Sequence, residues 1–165
     1  MLVIADTSPL NYLVWIGHVE LLPKLYDRVL IPSAVRSELL AREAPDAVRL
    51  WVRNLPGWAE IVDPEPELLE EPAWKDLGEG ERAALALAST RQPIFLLIDE
   101  WAARTLAEHR GFLVTGTLGV LDQAARRNLI SFAEAIEKLQ KTSFRYPRAL
   151  VERLLEEHQQ RQKGL

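Results

Sequence analysis

The stretch LVIADTSPLNYL, residues 2–13, decides the reading of the chain. Leu2 to Ala5 form an apolar run without polar alternation, the pattern of a short strand in a parallel sheet covered by helices on both faces. Ser8-Pro9 then opens a helix, with Ser suited to the N-cap and Pro to the first helical position. Asp6 is thus not needed as a cap, yet it stands directly after a strand. In open α/β sheets, sites lie outside the carboxyl ends of the strands, so this carboxylate is a candidate for chemistry.

The same alternation continues along the chain. HVELLPKLY (18–26) predicts a helix and RVLIP (28–32) a strand ended by Pro32, after which Ser33 caps the helix SAVRSELLAR (33–42). A helix PDAVRLWVRNL (45–55) and a short strand AEIVD (59–63) follow. VDPEPELLEEPAWKD (62–76), rich in proline and acid, reads as a surface connection within one domain. Beyond it come the helix EGERAALALAS (79–89), the buried strand PIFLLID (93–99), the helix EWAARTLAEHR (100–110) stopped by Gly111, and the strand FLVTG (112–116). Three helices close the chain: TLGVLDQAARRN, SFAEAIEKLQK and PRALVERLLEEHQQRQ. Strands alternating with helices imply right-handed crossovers, a central parallel sheet and helices on both faces.

The chain has 165 residues, 48% of them hydrophobic, a size expected to fold as a single domain, residues 1–165. No apolar run reaches the ~20 residues of a membrane span and the N-terminus lacks a basic leader, so the expected location is cytoplasmic, with no membrane partner. There is no cysteine, which excludes disulfides, thiolate metal sites and cysteine nucleophiles. His18, His109 and His158 are not in metal-ligand spacing. A net charge of −4 argues against generic, charge-driven nucleic-acid binding, so polyanion contact has to be local or carried by bound cations.

Four carboxylates stand in unusual places. Taken at about 100° per residue, Glu38 falls within the apolar stripe of Ala34, Val35 and Leu39, where an unpaired charge is costly; a salt bridge to Arg42, four residues on, is the structural alternative. Glu79 and Glu81 lie in the first turn of a helix apolar on nearly every side, where acidic residues complement the macrodipole; Glu81 shares its face with Ala84, Leu85 and Ala88 and is expected to point inward. Asp99 follows a strand and precedes a helix that it could equally cap. Asp6, Glu38, Glu81 and Asp99 come from four elements that converge on one end of the sheet. Gathered carboxylates need a cation, and oxygen ligands without His or Cys select Mg²⁺ or Mn²⁺.

VIADTSPLNYL, LIPSAVRSELL, LGEGERAALALA and LLIDEWAARTLAEHRGFLVTGTLGVL resemble, in order and over about residues 2–130, the PIN-domain family in its branch near the VapC-type toxins. The resemblance implies a PIN-like, Rossmann-like three-layer α/β/α sandwich and a Mg²⁺- or Mn²⁺-dependent ribonuclease, often the toxin half of a toxin–antitoxin pair with a protein antitoxin as partner. Asp6, Glu38, Glu81 and Asp99 match the family's four acidic positions. Thr7, Ser8 and Thr117 match hydroxyls near them. Many relatives carry Asp at the third position, so either Glu79 or Glu81 is the residue that reaches the metal; Glu100 stands similarly beside Asp99. The mechanism implied is metal-assisted hydrolysis, with Asp6 and Asp99 as direct ligands and Glu38 and Glu81 completing the shell through water or orienting the nucleophile. Arg82, Arg104 and Arg110 are candidate phosphate contacts. A haloacid-dehalogenase-type phosphatase would need a second Asp where Ser8 stands, and a receiver domain would need a Lys that VTGTLG lacks. The remaining alternative is a catalytically inactive PIN fold serving as a binding or scaffold module. The stripe Leu150, Val151, Leu154, Leu155 and His158 in the C-terminal helices (131–165) is expected to pack on the core, on a second copy as a homodimer, or on an antitoxin.

Overall fold

The computed structural model describes residues 1–93 and 95–164. Strands β1 (Leu2–Ala5), β2 (Arg28–Ile31), β3 (Ala59–Ile61), β4 (Phe95–Leu97) and β5 (Val114–Thr115) form one all-parallel sheet in the order β3-β2-β1-β4-β5. Each lies within or on a predicted strand; of the run PIFLLID, Ile94 lies outside the described residues. Helices α1 (Thr7–Trp15), α2 (Leu21–Leu25), α3 (Ser33–Leu39), α4 (Asp46–Arg53), α5 (Pro66–Leu69), α6 (Glu79–Arg91), α7 (Trp101–His109), α8 (Thr117–Arg126), α9 (Phe132–Gln140) and α10 (Arg148–Lys163) surround it.

The strands are apolar on both faces because each face is covered. Val3, Ala5, Val29, Ile31 and Leu97 pack on one side with Leu10 and Leu13 of α1, Val35 of α3 and Leu121 of α8. Ile4, Leu30, Leu96 and Ile98 point the other way, onto Leu85 and Ala88 of α6 and Ala103 and Ala107 of α7. This is the period-two alternation of a strand read against two apolar layers, and it makes the architecture a three-layer α/β/α sandwich. No helix among the described residues is long and apolar enough to cross a membrane.

Several local expectations are corrected. Ser33 is not the cap of α3: Pro32 holds that position, and the Ser33 N–H and hydroxyl donate to Asp63 at 2.8 and 2.7 Å. α3 ends at Leu39, so Arg42 falls beyond the helix and loses the i,i+4 geometry that a pair with Glu38 needs. The acidic connection 62–76 is more than surface loop. It carries α5 and a 3₁₀ turn, Pro72–Trp74, that buries the Trp74 ring in the second apolar layer, with the Arg110 guanidinium 5.6 Å from the ring centroid. For the stripe of α10, packing on the core, one of its three expected settings, is what the structure shows: Val151, Leu154 and His158 are buried, His158 stacking on Phe132 of α9 at 4.6 Å and bonding Asp122 of α8 at 2.7 Å.

Candidate active site

The connections from β1 lead toward β2 and β3 and that from β4 toward β5, so the order of the sheet reverses between β1 and β4. Outside the carboxyl ends of such a pair of strands a crevice opens, because the helices that follow leave on opposite faces. The Asp6 N–H donates to Leu97 O at 2.9 Å and the Ile98 N–H to Thr115 O at 2.9 Å, which fixes Asp6 and Asp99 at the crevice. The resulting cleft encloses about 560 Å³, and Asp6, Glu38, Glu81, Asp99 and Glu100 all line it.

Asp6 occupies the N-cap position of α1 with extended backbone, but its side chain makes no capping bond. Ser8, the expected cap, is inside the helix and donates its hydroxyl to Asp99 at 2.6 Å. Glu38 is not paired with Arg42 in any ion pair among the described residues; its carboxylate accepts from the Thr7 hydroxyl and, at 3.0 Å, from the Gly80 N–H. Although Val35 and Leu39 are buried on the same helix, Glu38 itself is exposed, projecting from the end of α3 into the open cleft.

Gly80 is the residue that lets these groups meet. A Cβ there would lie 2.7 and 3.0 Å from the two Glu38 carboxylate oxygens and 3.0 Å from Asp6 Oδ1, so only a glycine leaves the space between the two acids open. Glu81 accepts from the Gly78 N–H at 2.9 Å and thereby closes the first turn of α6 while lining the cleft. Glu79 points elsewhere, into a separate depression beside Asp63, Glu70 and Arg82. Of the two glutamates left open by the sequence, Glu81 is the one in the cleft.

Asp99 does not cap α7. That role falls to Glu100, whose carboxylate accepts from the Ala103 N–H at 2.8 Å. Asp99 instead reaches the start of α8, accepting from the Thr117 N–H and hydroxyl, both at 2.7 Å, besides Ser8. The approach is close enough that a Cβ on Gly116 would lie 2.5 Å from Asp99 Oδ1.

The three candidate arginines stand outside the cleft lining. Arg82 donates to the carbonyls of Lys75 and Leu77 at 3.2 Å, Arg104 to that of Ile98 at 3.0 Å, and Arg110 to Glu71 at 3.1 Å. The sequence reading missed Asn11, Tyr12, Ser143, Phe144 and Arg145, which complete the lining. Asn11 and Tyr12 follow Asp6 by one helical turn and a half and were within reach of helical periodicity. The 143–145 segment carries no local signal, since only the packing of α9 and α10 brings it there.

Burial drives the electrostatics. It raises the Asp6 carboxyl from 3.8 to about 7, the Thr7 N–H opposing and the charges of Glu81, Glu38 and Asp99 adding to the rise. Glu81 is also raised, first by burial, with the Gly78 N–H opposing and Glu100 and Glu38 adding. Asp6 Oδ1 is buried and has no hydrogen-bond partner. Buried carboxylate oxygens are ordinarily satisfied, so this atom, 3.0 Å from where a Cβ on Gly80 would lie, stands out as an unused acceptor beside the site.

An α/β/α sandwich with a carboxylate-lined cleft at its topological switch point carries its candidate site where open α/β sheets bind their ligands. A family model described as a PIN domain matches residues 2–160, and the chain belongs to the PIN-domain family. PIN domains are generally nucleases and typically use divalent metal ions. Among curated proteins none matches the chain. The donor set suits such an ion: oxygen ligands only, one of them unpartnered, beside a gap that a methyl group would fill. No three acidic or histidine side chains among the described residues group closely enough to enclose an ion alone.

Proposed function

We propose that the protein is a metal-dependent endoribonuclease that hydrolyses RNA phosphodiester bonds at the cleft between β1 and β4. The observation that carries this reading is the unpartnered, buried Asp6 Oδ1 facing Glu38 across the Gly80 gap. Asp6 and Asp99 would hold Mg²⁺ or Mn²⁺, with Glu38 and Glu81 reaching it through water. When bound, the ion polarises a phosphate oxygen and lowers the pKa of a bound water. The chain's own residues supply the rest. The Ser8 and Thr117 hydroxyls and the Thr117 N–H orient Asp99, while Thr7 and the Gly80 N–H hold Glu38 where it can orient the attacking water. Motifs resembling those of VapC-type toxins support a role as the toxin of a type II toxin–antitoxin pair, with a protein antitoxin as partner.

The test is cleavage of a panel of single-stranded and structured RNAs with Mn²⁺ or Mg²⁺. Cleavage is expected with metal and is expected to vanish with chelator or with Asp6→Asn. A folded protein that leaves every RNA intact in the presence of Mn²⁺ overturns the reading and favours a binding module on the same fold.

A further inference from the structure

One wall of the cleft comes from the α9–α10 connection, where Ser143, Phe144 and Arg145 face the acidic residues. Arg145 is exposed, is the one cation among the described residues lining the cleft, and forms no ion pair among them. Its place is set by its neighbours. The Tyr12 hydroxyl bonds the Ser143 hydroxyl at 2.9 Å, and the Tyr12 ring meets Phe144 edge-on at 4.9 Å. On the other side Thr142 donates to Leu139 O at 2.6 Å and accepts from the Phe144 N–H at 3.1 Å. The segment is therefore anchored to α1 and α9 without using the guanidinium, whose fork of donors stays available.

An acidic chain with an acidic cleft repels a polyanion, and Arg82, Arg104 and Arg110 are engaged elsewhere. We propose that Arg145 grips a phosphate of the RNA strand in the cleft, and that Tyr12 is the positioning residue that holds Ser143 and Phe144 so that it can. The inference rests on the ribonuclease reading and names the residue that binds that reading's substrate. A guanidinium matches two phosphate oxygens at once, which an ammonium does not.

The experiment compares wild type, Arg145→Ala, Arg145→Lys and Tyr12→Phe. Binding of a short fluorescein-labelled single-stranded RNA is followed by anisotropy in Ca²⁺ over a potassium chloride series, and KM and kcat are measured in Mn²⁺. Arg145→Ala should weaken binding by about tenfold, raise KM more than it lowers kcat, and make the plot of log K against log salt shallower by about 0.7. Arg145→Lys should restore the slope but only part of the affinity. Tyr12→Phe should raise KM with an unchanged slope, since the charge remains. Wild-type affinity, KM and slope in Arg145→Ala, alongside a wild type that binds and cleaves, overturn this inference alone. A wild type that neither binds nor cleaves overturns the ribonuclease reading and this one with it.

Discussion

Replacing Asp6 by Asn in the metal-free protein should stabilise it, in a way that pH controls. Burial, first of all, lifts the folded-state carboxyl from 3.8 to about 7. At about 1.4 kcal/mol per pH unit, ionising Asp6 in the folded chain costs about 4 kcal/mol relative to ionising it in the unfolded one. The sign follows from where the proton sits. Between the two values the folded state binds a proton that the unfolded state has released, so the Asp6 contribution to stability is most favourable below about pH 4 and is lost as pH rises through about 7. The Asn variant has no such term. Its amide is neutral, but a buried amide lacking a full set of partners costs about 1–3 kcal/mol, so the net gain over wild type should be about 1–3 kcal/mol near pH 8. Urea unfolding of both proteins in chelator, at several values between about pH 4 and 8, measures the difference directly, and the other titrating groups largely cancel in the comparison. The advantage should shrink as pH falls and reverse toward pH 4, where the wild-type carboxyl is protonated in both states and only the amide penalty of about 1–3 kcal/mol remains. An Asn variant less stable than wild type near pH 8, or a gap that does not change with pH, would refute the account of Asp6 as a desolvated, unpaired carboxylate.

Three further outcomes are expected. Mn²⁺ should raise the melting temperature of wild type, by an amount corresponding to about 2.7 kcal/mol at a hundred times its Kd, and should leave Asp6→Asn nearly unmoved in the same calorimetric scan. Gly80→Ala should keep or gain up to about 1 kcal/mol of stability from helix propensity while losing RNA cleavage, because the new methyl displaces Glu38 and crowds Asp6; unchanged cleavage would remove Gly80 from the site. Leu154→Ala should cost about 2–5 kcal/mol in urea unfolding with no change of mass in light scattering, because that side chain is buried in its own chain.

Strand positions and the parallel sheet were legible because both faces are covered, so β1, β2 and β4 read as uninterrupted apolar runs flanked by helical patterns. The acids at the strand ends were legible for a related reason: a carboxylate following such a run has nothing local to explain it. Caps were misread wherever a distant partner outbid the local one. Ser8 and Ser33 have the chemistry of N-caps, yet they serve Asp99 and Asp63, 91 and 30 residues away in sequence. Glu100 rather than Asp99 caps α7 because Asp99 is drawn to the start of α8. Trp74 disguised itself in an acidic, proline-rich stretch, where average composition says surface and one large ring says core. Arg145 could not be found from pattern at all, since a lone arginine in a connection has no period. Arg82, Arg104 and Arg110 sit on or beside helices near acidic motifs, but their donors reach backbone carbonyls or Glu71 first.

The bonds that hold Asp99 join pieces of chain made far apart in time. Asp99 needs Ser8 from the first helix and Thr117 from the eighth, and Glu38 needs Thr7 and Gly80. A ribosome-bound chain that has emerged only through α7 already owns all four of the acids but cannot orient the last of them, because the helix that receives Asp99 is not yet made. Assembly of the cleft is thus coupled to completion of the sheet, a pairing of distant segments that folds slowly compared with local helices. Truncation between α7 and α8 should leave a chain that carries Asp6, Glu38, Glu81 and Asp99 but lacks the Thr117 groups that hold Asp99, so the order of synthesis itself delays the ordering of the site until α8 has been made.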